Sequence, residues 1–88
     1  MPRIVITHEA KDVKHWASKG DVRVEVFAPF GTEVVSYVAA DGSNKVAVSA
    51  NIHDMEGLIA MSQSPEAAAA RESHGVLPPV VFHLEAAG

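Results

Sequence analysis

Several residue types that support common protein chemistries are absent or scarce in this chain. Its 88 residues include no cysteine, which excludes disulfides and thiolate chemistry. Lysine and arginine number 7 against 11 aspartates and glutamates, giving a formal net charge of −4. That balance argues against non-specific binding to nucleic acid or to acidic membranes. The six glycines are dispersed, so the sequence contains no glycine-rich phosphate loop.

Long apolar runs are also missing. No stretch approaches the roughly 18 apolar residues of a membrane span, and the run before Ala10 is too short for a signal peptide. We therefore expect a cytoplasmic protein without a membrane partner. Hydrophobic residues make up 48% of the chain, which is typical of a globular protein and not of a disordered one. The length predicts a single domain over residues 1–88.

Hydrophobic patterns predict four strands. The segment from Arg3 to His8 contains the β-branched run Ile4, Val5 and Ile6 and has few polar side chains on either face. Such a composition is typical of a strand that is covered on both faces. Glu33 to Ala40 and Lys45 to His53 flank an Asp-Gly turn and predict a hairpin. Val80 to Glu85 predicts the last strand, separated from the preceding helix by Pro78 and Pro79.

Capping residues predict the helices. Asp12, Asp54 and Ser64 are suitable N-caps because their side-chain oxygens can accept from the free N–H groups of a first turn. Pro65 fits the first helical position, where no N–H is needed. Gly75 is suited to end the same helix.

The segment from Asp21 to Phe30 fits two interpretations. Its valines alternate with Arg23 and Glu25, which indicates a strand. Val22, Val26 and Phe30 also fall at helical spacing, and periodicity alone does not decide between the two. A helix gives the order β-α-β-β-α-β, the split β-α-β or ferredoxin-like arrangement with its four-stranded antiparallel sheet. A strand gives five strands and no standard small fold.

Four pieces of the chain, in this order and spacing, resemble short bacterial proteins of the dimeric α/β-barrel superfamily. These pieces are T-H-E-A-K-D-V-K-H-W at 7–16, V-F-A-P-F-G at 26–31, D-G-S-N-K-V at 41–46, and the stretch from 53 to 79 that begins H-D-M-E-G and ends H-G-V-L-P-P. In similar sequences V-F-A-P-F-G closes the first helical region, which favours a helix for residues 21–28. The resemblance implies a homodimer whose two sheets pack face to face.

The alternating residues of the predicted strands support that arrangement. One sheet face is suited to the helices. The other carries Val5, Thr7, Ala47, Ser49, Asn51, Val81 and His83, a mixture that fits a dimer interface or a partly polar cavity. Members of the superfamily include cofactor-free monooxygenases, muconolactone isomerases, haem-degrading enzymes and stress-responsive proteins without a known reaction. The resemblance therefore does not fix a function.

Candidate site residues are few. His8 shares the parity of Ile4 and Ile6, so we expect it in the helix–sheet cleft, where an imidazole can act as a base on a small substrate. A hydrogen bond to a neighbouring loop is the structural alternative. Trp16 is expected in the core or as a wall of the same cleft, and Tyr37 as a source of a ligand-binding hydroxyl. His53 ends a strand expected to run parallel beside the first, which would place it at the sheet edge of His8.

The other histidines suggest less. His74 precedes Gly75 at a helix C-terminus, where a cationic imidazole favours the helix dipole. No histidine pair has the spacing of a metal-binding motif, so we expect neither a metal nor a cofactor.

The sequence leaves two functions open. The first is a homodimer that binds a small organic molecule in the cleft, with cofactor-free isomerase or monooxygenase-like chemistry and His8 as the base. The second is a non-catalytic structural or regulatory dimer, favoured by the lack of a convergent catalytic set. Whether the protein is an enzyme is undecided by the sequence.

Overall fold

The computed structural model describes residues 3–86 and contains four strands and four helices. Their order is β1 (Arg3–Ala10), α1 (Val13–Ser18), α2 (Gly20–Phe27), β2 (Gly31–Val38), β3 (Lys45–Ile52), α3 (Met55–Ser62), α4 (Pro65–His74) and β4 (Val76–Leu84). Each helical region of the predicted pattern is thus a pair of short helices. The ferredoxin-like class predicted from the sequence is confirmed.

The strands form one sheet in the order β2-β3-β1-β4, and every neighbouring pair is antiparallel. The expectation that the strand before His53 runs parallel to β1 was wrong, because β3 pairs with β1 in the opposite direction, with Arg3 opposite Asn51 and His8 opposite Val46. His8 and His53 therefore lie at opposite ends of the sheet.

Local chemistry explains where the helices begin and end. Asp12, Asp54 and Ser64 each accept a hydrogen bond from a first-turn N–H, as predicted. Pro65 occupies the start of α4, and Gly75 ends it in the left-handed conformation with φ 73°. These contacts satisfy backbone groups that a helix end otherwise leaves without partners.

The segment with two interpretations is helical. α2 spans Gly20–Phe27, as the resemblance favoured, but its burial is the reverse of its hydrophobicity: Arg23 is buried, whereas Val22 and Val24 are exposed. Phe27 packs against the core, whereas the three valines of α2 are exposed. Tertiary contacts of Arg23, described below, hold α2 against the rest of the molecule.

The last strand begins earlier than predicted, at Val76, so Pro78 and Pro79 lie inside β4 and do not precede it. β4 is an edge strand, where a proline does not remove a ladder hydrogen bond. Between Thr7 and Glu9 the partner on β4 moves from Val81 to Leu77, so β4 contributes extra residues opposite His8. Such a bulge is common beside functional sites.

All four helices cover one face of the sheet. The buried core lies between these helices and the sheet. It consists of alternating strand residues together with one side chain each from α1 and α3: Ile4, Ile6, Ala10, Val46, Val48, Ala50, Ile52, Trp16 and Leu58. This is the apolar face predicted from strands β1 and β3. The opposite face has no covering helix in residues 3–86, and Val35, Tyr37 and Val81 are exposed there.

Candidate functional site: a cavity between the helices and the sheet

A cavity of about 130 Å³ lies between the sheet and helices α2, α3 and α4. Most of its wall is apolar, with side chains such as Ile6, Phe27, Val48, Leu58, Val80 and Phe82. Its polar side chains are His8, Arg23, Ser62, Arg71 and His74. For scale, an apolar cavity of about 150 Å³ holds one benzene molecule. The space therefore suits the body of a small organic molecule.

His8 reaches this cavity because its parity on β1 matches that of Ile4 and Ile6. Its imidazole meets the indole of Trp16 edge to face, with ring centroids 5.6 Å apart and an angle of 75° between the planes. The sequence-based expectation that His8 points toward the helices is correct. Its catalytic role stays a prediction, and so do the ligand-binding roles assigned to Trp16, Tyr37 and His53.

Within the described part of the chain, the hydrogen bonding of His8 leaves one ring nitrogen available. Nδ1 lies 2.9 Å from the backbone carbonyl oxygen of Glu9, and because a carbonyl only accepts, Nδ1 must carry the proton. In the neutral ring Nε2 then holds a lone pair. A neutral imidazole with a free Nε2 beside a cavity has the protonation state that a general base requires.

The surroundings of His8 favour that neutral form. Burial lowers the pKa of His8 below its ordinary value of 6.5, the hydrogen bond to Glu9 acts in the opposite sense, and the positive charge of Arg23 lowers the pKa further. Burial also lowers the pKa of His74, with smaller contributions from Arg23, Lys19 and His15. Both cavity histidines are therefore predominantly neutral at pH 7.

These two histidines make folding stability depend on pH. Because their folded-state pKa values lie below 6.5, the unfolded chain binds more protons, and acid favours unfolding. Their contribution is complete above pH 6.5 and is lost as the pH falls through the lowered values. We expect the free energy of unfolding, measured with urea between about pH 7 and pH 5, to decrease in this window. Replacing both His8 and His74 with glutamine should flatten the decrease, and an unchanged slope would contradict the assignment.

The indole of Trp16 contacts two of the cavity's polar side chains, His8 and Arg23. It is 1% exposed and carries the guanidinium of Arg23 over its ring, with Cζ 3.8 Å from the ring centroid. Contact at this distance is a favourable cation–π arrangement. Trp16 therefore combines the two roles expected from the sequence, since it is both a core side chain and part of the cavity wall.

Arg23 was not singled out by the sequence, yet it has the most contacts among the polar groups of the cavity. Nε donates to Ser36 Oγ at 3.0 Å and Nη2 donates to the Trp16 carbonyl at 2.7 Å. These bonds join α2 to β2 and to the C-terminal end of α1. Helical spacing offered one signal for this position, since Arg23 and Phe27 are four residues apart and share a face if the segment is a helix.

Arg71 and His74 were also missed as cavity residues. Both lie on α4, and the Nη1 of Arg71 donates to the Ser62 carbonyl at 2.9 Å. The sequence correctly placed His74 at the C-terminal end of α4, but the cationic form expected there is disfavoured, because burial lowers the pKa of His74. Only the packing of α4 over the sheet brings it to the cavity.

Tyr37 and His53 do not join this group. Tyr37 lies on the uncovered face of the sheet, where its hydroxyl is 2.8 Å from Ser49 Oγ. His53 follows β3 at the far end of the sheet and is exposed. Neither lines the cavity between helices and sheet. The cavity between helices and sheet therefore gathers two of the four candidate site residues, His8 and Trp16, whereas Tyr37 shares with His8 a separate, open pocket on the other side of the sheet.

Residues 3–86 contain neither a metal-ligand cluster nor a membrane-spanning helix. No three histidine, aspartate or glutamate side chains there converge as metal ligands would. Among the same residues, no helix has both the length and the apolar character needed to cross a membrane.

Solved structures with this fold are numerous, although no family model and no curated protein matches the sequence. A proposed antibiotic biosynthesis monooxygenase from Bordetella bronchiseptica has a TM-score of 0.68 and 9% identity, over 99% of this chain and 96% of its own. SnoaB from Streptomyces nogalater, a cofactor-independent oxygenase, has a TM-score of 0.67 and 16% identity, over 98% and 91%. A second proposed antibiotic biosynthesis monooxygenase, from Nitrosomonas europaea, has a TM-score of 0.64 and 13% identity, over 99% and 98%. At these identities the likeness shows the fold alone, and the chain has the ferredoxin-like fold of these solved structures.

Proposed function

We propose that this protein is a homodimer that binds a small organic molecule in the cavity and performs cofactor-independent oxygenase- or isomerase-like chemistry with His8 as the base. The observation that carries the proposal is the free Nε2 of a neutral His8 at the wall of a mostly apolar cavity. The fold shared with a cofactor-independent oxygenase supports the same class of chemistry, although fold alone does not determine function.

The chemistry follows from the residues present. A base on an apolar wall can remove a proton from a carbon next to a carbonyl or an aromatic ring. The resulting carbanion can be reprotonated at another carbon, or it can react with dioxygen to give a peroxide that takes up protons and loses water, so that one oxygen atom stays on the carbon as a carbonyl and the other leaves as water. The first outcome is an isomerisation and the second an oxygenation. Exclusion of water by the surrounding side chains protects such an intermediate. The positive charge of Arg23 favours the developing negative charge.

Native mass spectrometry of protein purified without added ligand tests the binding proposal. A dimer that carries a bound small molecule supports it, and the added mass gives the class of ligand. An empty dimer that also fails to bind small aromatic ketones would favour the alternative, a non-catalytic structural or regulatory module.

The dimer proposal rests on the uncovered face of the sheet. Exposed apolar side chains such as Val35 and Val81 lie there without a covering helix from residues 3–86. A second copy placed face to face would bury them, and burial of apolar area stabilises association.

Placing a charge on that face should weaken the dimer. We expect Val81→Glu to lower the dimerisation affinity at least about tenfold in sedimentation velocity, because the carboxylate would have to be buried without a partner. Ile59→Glu is the matched control, since Ile59 has similar exposure, 44% against 41%, but lies on helix α3 on the other side of the sheet. A wild-type monomer at high concentration would refute the proposal, as would equal effects of the two substitutions.

A further inference from the structure

The ionisable groups at the cavity are all basic. Arg23, Arg71, His8 and His74 line it, and no aspartate or glutamate among residues 3–86 does. This is notable in a chain with 11 acidic and 7 strongly basic residues. One of these four groups comes from α2, two come from α4 and one comes from β1, so the basic lining is built from separate elements that meet only in the folded protein.

Arg23 carries hydrogen-bonding capacity that the protein does not use. Its side chain is 7% exposed, and Nη1 is buried without a hydrogen-bond partner among residues 3–86. The one ion pair in that range joins Arg3 and Glu33, so no described carboxylate offsets the charge of Arg23. A buried, unpaired donor on a charged group is costly. Arginine nevertheless stays protonated in proteins.

The structural contacts of Arg23 do not account for this donor. Stacking on Trp16 involves the face of the guanidinium, and the bonds to Ser36 and to the Trp16 carbonyl use Nε and Nη2. Nη1 takes part in neither bond. A guanidinium presents its donors as a planar fork that matches the two oxygens of a carboxylate.

We propose that the ligand of this cavity is an apolar monocarboxylic acid of about one ring in size, anchored by the unused Nη1 donor of Arg23. The inference rests on the proposed function in taking the cavity as the binding site, and it adds the chemical class of the ligand. The apolar wall receives the ring, and the cavity volume of about 130 Å³ sets the size. Arg71 adds a second positive charge from the α4 side.

Benzoate and benzamide test this inference because they share a ring and differ in charge. Titration calorimetry at pH 7 and fixed salt should show benzoate binding to the wild-type protein about tenfold more tightly than benzamide, since hydrogen bonds to charged groups are the stronger kind. In Arg23→Gln the two affinities should come within about twofold of each other, with benzamide binding retained. Arg3→Gln is the matched control, because Arg3 pairs with Glu33 away from the cavity, and it should keep the wild-type preference.

The outcomes separate this inference from the proposed function. If neither probe binds the wild-type protein, the cavity is not a binding site and both proposals fail. If both bind equally, the cavity stands as a site and the acid anchor is wrong. A preference for benzoate that persists in a folded Arg23→Gln variant also overturns the role of Arg23. Should that variant not fold, the comparison of the two probes on the wild-type protein still decides whether the cavity selects an acid.

Discussion

Replacement of His8 with glutamine is expected to reduce proton abstraction from a bound carbon acid by about a hundred- to ten-thousand-fold, the usual contribution of a positioned general base. Deuterium exchange into the methylene groups of 2-indanone, followed by NMR in D₂O, measures this step directly. The probe carries acidic C–H bonds next to a carbonyl on a compact apolar frame. Its exchange does not require that the natural substrate be known.

The size of the effect follows from the geometry of His8. Nδ1 is held by the Glu9 carbonyl, so proton transfer must use Nε2, and a glutamine amide can fill the space without accepting a proton at neutral pH. Because burial keeps the pKa of His8 below 6.5, the acid limb of the exchange rate should also lie below pH 6.5. The fully basic form is then present at pH 7.

His53→Gln is the matched control, since it makes the same chemical change at an exposed position at the opposite end of the sheet. We expect it to leave the exchange rate unchanged. Equal losses in the two variants would contradict a specific role for His8. A wild-type protein that binds 2-indanone without accelerating its exchange would favour the non-catalytic dimer.

Features set by neighbouring residues could be predicted from the sequence. Asp12, Asp54 and Ser64 cap helices because an N-cap needs only a side-chain oxygen within reach of a first-turn N–H. The parity of His8 is equally local, since alternate residues of a strand point to the same face. That parity correctly placed His8 with the core residues of β1 and next to Trp16.

Features that depend on tertiary contacts could not be predicted in this way. α2 exposes valines and buries Arg23 because the guanidinium finds a carbonyl, a hydroxyl and an indole face, none of which is visible in the local sequence. The separation of His53 from His8 depends on strand direction, which residue periodicity does not encode. Residue periodicity also does not give the face on which Tyr37 lies, because the pairing of β2 with β3 shifts between Thr32 and Val35.

Truncation of Trp16 to alanine is expected to lower the free energy of unfolding by about 3–5 kcal/mol, as is usual for a buried aromatic side chain. Small domains are stable by about 5–15 kcal/mol in total, so this variant should be close to unfolding. Trp16 is 1% exposed and packs against Ala10, Val46 and Val48. Its loss would also remove the surface on which Arg23 stacks. Urea unfolding should be followed by circular dichroism, because Trp16 is the sole tryptophan.

Two further variants separate packing from ligand contact. Ile59→Ala removes apolar atoms from a position on α3 that is 44% exposed, and should cost less than about 1 kcal/mol. Trp16→Phe keeps an aromatic ring in the core, so its loss of unfolding free energy should lie between the losses in Trp16→Ala and Ile59→Ala. It would also leave a larger space next to His8 and Arg23. If Trp16→Ala were no more destabilising than Ile59→Ala, the indole would not be a core side chain. If instead Trp16→Phe retains most of the stability but weakens benzoate binding, then the indole is also needed to hold Arg23 in place, because phenylalanine offers a smaller face to the guanidinium.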